Sequence, residues 1–552
     1  MGQPDGIGGN SGAERGDLDQ EKSAHGYHSA VLEPGELEVP KESIKRGLKS
    51  RHAQMIALGG TIGTGFFVGS GATLARGGPA FILVYYIIMT ILIMFIITAI
   101  TEVAAHIPIA GGTMSYFGFR YVSSSLGFAM GWLYWYSLGI PVPYEITAAG
   151  LVIGYWNSPV NIAVWITIFI ILILGLNALP VSVFGETEFW FASLKVFMMI
   201  GLLLLSFILF WGGGPNRQRL GFHYWKDPGA TATWLKKGDA GRMVAFTSCL
   251  VLSAFPFTFA AELIVVTGGE MKNPRRNLPI AAKRYIDRLV IFYIGSVLSI
   301  GVICSYKDAA LTDGGAGAKS AAFVVGIRNA GIHGLGSVIN AVIILSAWSS
   351  GNPFLYISSR SLYSLAIAGN APAVFKKCTK RGVPWVAVLT SALFMPLAYL
   401  NCGSGGSTVF TWFVNLTNTS GFISWICCCI VYLRFNKACK GQGWTDLPYH
   451  SRLQPYGAWI ALVAFVIMTL INGFDVFFPS RWGASSFLTA YVGIPIFLFI
   501  YFAHRITHRH EPWARDPLEV DLTSSLQEIK DEEEPRKTEY NHWWSHLRRL
   551  WE

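Results

Sequence analysis

The first apolar stretch of this chain is poorly built to cross a bilayer as one unbroken helix. From Ala53 it runs Ala-Gln-Met-Ile-Ala-Leu-Gly-Gly-Thr-Ile-Gly-Thr-Gly-Phe-Phe-Val-Gly. Gly59, Gly60, Gly63 and Gly65, interleaved with Thr61 and Thr64, disfavour continuous helix because glycine loses the most backbone freedom on ordering. In lipid, unwound backbone survives only where protein buries it or where it lines a cavity. An interrupted helix at mid-membrane therefore predicts a binding site, where free N–H and C=O groups meet a small polar ligand. That pattern marks a secondary transporter.

The rest of the chain agrees with a membrane setting. Of 552 residues, 52% are hydrophobic and 14% charged, less charge than a soluble protein of this length carries. Apolar runs of about 20 residues recur, each long enough to span a bilayer. They predict twelve spans at 53–75, 80–105, 125–155, 160–180, 189–211, 243–267, 286–306, 336–367, 385–402, 408–433, 456–478 and 486–505. The organisation expected is a disordered cytosolic tail over 1–50, a membrane domain over 51–505 and a cytosolic C-terminal tail over 506–552. No cleavable signal peptide is expected, since the polar first fifty residues hold no short apolar core before a cleavage site. The bland reading of the C-terminal tail is regulatory, although Trp543, Trp544 and Trp551 also suit a bilayer surface.

Twelve spans place both termini on one side. Lys41, Lys45, Arg46, Lys49 and Arg51 flank the first span, Lys272, Arg275, Arg276, Lys283, Arg284 and Arg288 follow the sixth, and Lys376, Lys377, Lys380 and Arg381 follow the eighth. Loops and flanks on that side carry roughly twice the Lys and Arg of the other, which makes it cytosolic. The net charge of +10 is thus a topology signal rather than a sign of nucleic-acid binding. The eight Cys form no disulfide framework; Cys427, Cys428 and Cys429 read as small apolar fillers, and Cys304 and Cys402 fall near outer span ends. No paired His/Cys metal spacing, phosphate loop or triad signature points to an enzyme, a metal or a cofactor.

Ordered motifs then accumulate. The run "LKSRHAQMIALGGTIGTGFFVGSG" (48–71) resembles the start of fungal amino-acid permeases of the amino acid–polyamine–organocation superfamily. The likeness continues through "GGPAFILVY" (77–85), "GFAMGWLYWYSLGIPVPYEITAAGLVIGYW" (127–156), "FGETEFWFASLKV" (184–196) and "GGEMKNPRRNLPIAAKRY" (268–285). It ends with "SAWSSGNPFLYISSRSLYSLA" (346–366), "RGVPWVAVL" (381–389), "VFTWFVNLTNTSGFISW" (409–425) and "QPYGAWIALV" (454–463). The resemblance implies an all-α membrane protein of twelve transmembrane helices. Its fold is a 5+5 inverted repeat with helices 1 and 6 broken, plus two peripheral helices. It also implies proton-coupled uptake of amino acids across the plasma membrane.

A zwitterionic amino acid needs a place for its carboxylate and one for its ammonium. Backbone N–H groups around Thr61, Ile62, Gly63, Thr64 and Gly65 suit the carboxylate; close helix packing is the bland alternative for these glycines. By the inverted repeat, span 6 should break near Phe255-Pro256-Phe257-Thr258-Phe259-Ala260-Ala261-Glu262, where Pro256 removes a donor. Carbonyls there suit the ammonium, and Phe257, Thr258, Phe259 and Ala260 become candidate contacts. The family's usual Gly-Thr pair before this glutamate is Ala260-Ala261 here.

Charges inside spans are costly and need a reason. Lys195 matches a lysine that fills the sodium position of sodium-driven relatives of this fold, and is a proton-coupling candidate. It is placed about two turns from the cytosolic end of span 5, where it could instead snorkel to water. Glu145, in the family's Pro-x-Glu-Ile-Thr motif, and Glu262 are the other coupling candidates, while Glu102 reads as structural. Asn352, Asn415 and Thr417 are secondary site candidates, since polar residues in spans often only join helices. The leading reading is an amino-acid/proton symporter in the lipid bilayer. A non-transporting nutrient sensor and a polyamine or organic-cation carrier remain alternatives.

Overall fold

The computed structural model describes residues 63–531 apart from 110–111, 157, 270, 272, 313–320, 333, 404 and 525. The expected N-terminal tail, the start of span 1 through Ile62, and residues 532–552 lie outside the described residues.

Nine helices among the described residues are long and apolar enough to cross a membrane. The first, Thr64–His106, holds two of the expected spans. They meet at Gly78, whose φ of 78° and ψ of 175° leave the helical region, with Pro79 directly after it. Ile162–Asn177 is a shorter apolar helix, span 4, and span 12 is a pair, Ala484–Tyr491 and Gly493–Thr507, bent by 46°. All twelve spans are thereby present and no strand interrupts them among the described residues.

Local chemistry sets the helix boundaries. Ser123 caps span 3 by accepting from Leu126 N at 3.3 Å, and Asn161 caps span 4 by accepting from Ala163 N at 2.9 Å, each satisfying an amide the helix start leaves open. Pro180 precedes span 5, Val181–Phe210. This helix opens well before the expected residue 189, so Lys195 sits near its middle and is fully buried. Snorkelling from a nearby helix end therefore does not describe Lys195. Trp190, Phe197 and Phe207 on the same helix are exposed, as a lipid-facing stripe requires.

The turn between spans 1 and 2 is clamped to the segment before span 6. Ala80 N donates to Ala230 O and Ala232 N donates to Gly77 O, both at 2.9 Å. A Cβ on Gly78 would meet Ala230 O at 2.9 Å and Ala232 N at 3.0 Å, on a backbone already in the left-handed region. Here glycine is a steric requirement.

Past span 12 the chain folds back onto the bundle. Arg515 N donates to Val122 O at 2.8 Å, and Gln442 Nε2 donates to Pro517 O and Val520 O at 3.0 and 2.7 Å. His106 Nε2 lies 2.9 Å from Leu522 O. Buried Arg120 pairs with Asp521 at 2.9 Å and donates to the carbonyls of Asp521 and Ser524 at 2.8 and 3.1 Å. Val520 and Leu522 are buried in the joint. Residues 515–524 are thus a docked strap across the ends of spans 2, 3 and 10.

Burial favours the neutral form of Asp521, but hydrogen bonds from Ser524 and the Arg120 charge outweigh it and hold the carboxyl below its ordinary range. A depressed carboxylate stabilises the fold above its ordinary pKa and loses that contribution as pH falls through the folded value. The strap is therefore at full strength at neutral pH. Asp521→Asn should speed amide exchange across 515–524 at pH 7, and wild type should keep its protection down to about pH 4 once intrinsic rates are corrected. Equal exchange in the variant and wild type at neutral pH would remove the ion pair from this role. In the same way, Gly78→Val should destabilise the detergent-solubilised protein by about 1–3 kcal/mol. Gly154→Ala, whose Cβ would meet nothing within 4 Å, should leave the unfolding midpoint unchanged.

Candidate functional site

Gly63 is extended (φ −116°, ψ −166°) and passes the chain into the helix Thr64–Phe67, which resumes at Gly69 after Val68. The first intrahelical donors are Phe66 N to Gly63 O at 3.2 Å and Val68 N to Thr64 O at 2.8 Å. The amides of Thr64 and Gly65 precede them, and such leading N–H groups have no acceptor within a helix. Thr64 Oγ1 donates to Glu145 Oε2 at 2.6 Å, and both residues are buried. Glu145 sits one turn into Pro141–Ile153, the second half of span 3. Proline suits that helix start because the amide it lacks would have had no partner there.

Span 6 breaks between Gly238–Leu252 and Ala260–Gly269. A tight turn at Phe255–Phe257 is followed by extended Thr258 (ψ 135°) and by Phe259 at φ 59°. Protein groups hold the broken backbone. Thr258 Oγ1 donates to Phe255 O at 2.6 Å, and the Tyr293 hydroxyl donates to Pro256 O at 2.9 Å.

A narrow cavity of about 20 Å³, room for little more than a water molecule, lies between the two breaks. Its walls are Gly63 and Gly65 from span 1, Pro141, Tyr144 and Glu145 from span 3, and Phe255, Pro256 and Thr258 from span 6, with Phe354 and Thr417 added from spans 8 and 10. Tyr144 stands 4.6 Å from Phe255 and 4.8 Å from Phe410 between ring centroids. Beyond these rings is a larger cavity, of about 800 Å³, whose walls include Gly65 and Phe255 as well. Phe255 is thus part of the partition between the two.

The expected site residues separate into groups. Gly63, Gly65, Thr258 and Thr417 line the central cavity, and Thr64 holds Glu145 at its edge. Thr61 and Ile62 lie outside the described residues, as does the side chain of Ala260. Phe257 packs instead against Tyr86 and Tyr293, at 5.6 and 4.8 Å. Phe259 is buried, and its carbonyl accepts from Leu263 N at 3.0 Å. Asn352 is buried in span 8 with neither side-chain amide atom partnered among the described residues, and it does not line the cavity. Asn415 lines the larger cavity.

Lys195 Nζ donates to Ser350 Oγ at 2.9 Å, and its charge interacts with Glu188 first and Glu145 second. Glu188 accepts from Ser349 Oγ at 2.9 Å and is fully buried. Glu262 lies elsewhere, 2.5 Å from Ser424 Oγ, which is 2.9 Å from the Tyr134 hydroxyl. Glu102 accepts from Ser451 N at 2.6 Å and the Tyr432 hydroxyl at 2.9 Å, tying span 2 to span 10 and the loop after it. Cys304 and Cys402 are both free thiols.

Sequence reasoning missed Phe255 and Glu188. Three phenylalanines crowd the span 6 break, and only the turn geometry decides which ring faces inward. Glu188 fell just outside span 5 as drawn from hydropathy. Its spacing of seven from Lys195 was the available signal, because two helical turns return a side chain to nearly the same face.

A Cβ on Gly63 would collide with Glu145 Oε1 and stand 3.0 Å from Ser350 Oγ. Gly63→Val should therefore lower uptake by at least about tenfold, because misplacing groups at a site costs rate steeply, while the protein still reaches the cell surface. Gly201→Ala, with nothing within 4 Å, is the control. Uptake by surface-localised Gly63→Val at the control rate would remove this position from the site.

Residues 52–512 match the sequence model of the amino acid permease family. The proline-specific permease of Emericella nidulans is 45% identical over 94% of this chain and 96% of its own length. The proline-specific permease of Saccharomyces cerevisiae is 44% identical over 88% and 79%, and the dicarboxylic amino acid permease of the same yeast is 40% identical over 89% and 81%. Among solved structures, a manganese transporter of Eremococcus coleocola superposes with a TM-score of 0.55 at 12% identity, over 84% of this chain and 94% of its own. At that identity the likeness speaks to the fold, a pair of inverted five-helix repeats with breaks in spans 1 and 6.

Proposed function

The chain belongs to the amino acid permease family, and from that membership we propose that it imports amino acids across the plasma membrane by proton symport. The central cavity opens alternately to either side, and both termini are cytosolic. The observation that carries this reading is the cavity between the two helix breaks. The Thr64 amide is held by Glu145, and the Gly65 amide receives the substrate carboxylate, favoured by the positive end of the helix it opens. Carbonyls of the span 6 break receive the ammonium. Phe255, Tyr144 and Phe354 surround the side chain, and Phe255 closes over it.

Proline is the substrate we propose. Two of the relatives above are proline-specific permeases at 44–45% identity. Among the described residues, Glu145 is the only charged one lining the cavity, and it is engaged by Thr64. Among the described residues an acidic or basic side chain has no dedicated counter-ion there, whereas walls of aromatic and proline side chains suit a compact ring once the narrow cavity widens.

Coupling is assigned to Glu145, Glu188 and Lys195. Two carboxylates and one ammonium interact in a water-poor interior. An uncompensated charge there is expensive, so one proton held on the set brings it to neutrality. Glu145 also receives Thr64, so protonation at one end and substrate at the other act on the same helix start. Glu262 braces the resumed half of span 6 against span 10.

Uptake of a panel of labelled amino acids by permease-deficient cells is the first test, with proline expected to lead. Uptake of none would favour a sensor, and preferential uptake of polyamines would favour the organic-cation reading. In reconstituted vesicles with an imposed pH gradient and no sodium, wild type should accumulate proline. Lys195→Met should lose accumulation yet retain exchange, and Glu188→Gln should behave likewise. Concentrative uptake by Lys195→Met, or a sodium requirement in wild type, would overturn the coupling assignment.

A further inference from the structure

We propose that the larger cavity is a second carboxylate site, in which Arg76 holds the α-carboxylate of an amino acid before it reaches the central cavity. The inference rests on the transport reading above. Arg76 lies on span 1, eleven residues past Gly65, or about 16 Å along a helix. Its Nη1 donates to Ser248 Oγ at 3.2 Å, its guanidinium stands 4.5 Å from the Trp234 ring centroid, and it feels the opposing charges of Asp475 and Arg481. Arg481 approaches the same ring at 4.8 Å and pairs with Asp475 at 3.5 Å.

Arg76, Arg481 and Asp475 are the charged residues lining this cavity. Among the described residues, two guanidiniums and one carboxylate give its walls a net positive charge. Inside a cleft with low-dielectric walls that charge attracts anions more strongly than it would on an open surface. A guanidinium also presents a planar fork that matches a carboxylate, and the indole face beneath it holds the fork in place. A purely structural cation–π contact would need no cavity in front of it, and here there is ample room for a free amino acid.

The position makes the site a waiting room for the central one. Gly65 and Phe255 line both cavities, and Phe255 with Tyr144 and Phe410 closes the passage. A ligand held at Arg76 faces that partition. Rotation of the Phe255 ring would leave the carboxylate a path along span 1 from Arg76 to the amide of Gly65.

Equilibrium binding of radiolabelled L-proline to the purified, full-length protein tests this. Wild type should bind two molecules at saturation, and Arg76→Gln one. Gly63→Val should bind one, lost when Arg76→Gln is added. In uptake, Arg76→Gln should raise KM about tenfold, as expected for loss of one charge–carboxylate contact, with kcat unchanged, and Arg76→Lys should recover part of the loss. A wild type that transports proline but binds one molecule overturns this inference and leaves the transport reading standing, whether or not Arg76→Gln folds. So does an Arg76→Gln protein with unchanged KM. A wild type that neither binds nor carries any amino acid overturns both.

Discussion

A peptide group in hydrocarbon must find a partner inside the protein, and this rule shapes the centre of the molecule. Two helices give up part of their own ladder, at Gly63 and between Leu252 and Ala260. The surrounding spans supply what the breaks lack. Span 7 reaches Pro256 through the Tyr293 hydroxyl, and span 3 receives Thr64 through Glu145. The breaks survive because neighbouring helices, spans 3 and 7 among them, satisfy them from within the protein. The amides and carbonyls left over are the ones available to a ligand.

The same economy governs the buried charges. Glu145, Glu188 and Lys195 come from spans 3 and 5, and span 8 offers them Ser349 and Ser350. Hydroxyls can donate or accept, so this shell stays satisfied as a proton moves within the set. Ser350 sits close to both Lys195 and Gly63, which brings the charged set against the helix start where substrate is proposed to bind. Structural support and the proposed energy coupling therefore use the same atoms, and the strap at 515–524 bears on the start of span 3, which carries Glu145 further along.

Much of this architecture was legible in the chain. Glycine and proline mark both breaks because they are the residues that lower the cost of leaving a helix, and the twelve apolar runs mark the spans by length alone. Hydropathy misplaced the start of span 5 because Glu186 and Glu188 look like a polar flank. In the folded protein Glu188 is buried on the face that carries Lys195, a pairing invisible to a sliding window. Hydropathy likewise gave no sign that residues after span 12 would dock, since the joint at Arg120 and Asp521 links positions about four hundred residues apart.

The family resemblance implied the break in the sixth helix; by itself the sequence determined that the chain crosses a membrane twelve times, that its first helix breaks, and that glutamate and lysine lie within the spans. These follow from composition and local backbone preference, which act over a few residues. Only the tertiary structure decided that Phe255, rather than Phe257, faces the cavity, that Glu145 caps Thr64, and that Arg76 shares an indole with Arg481. Those outcomes depend on which surfaces of distant helices meet, and a side chain's direction across a break is set by packing around it.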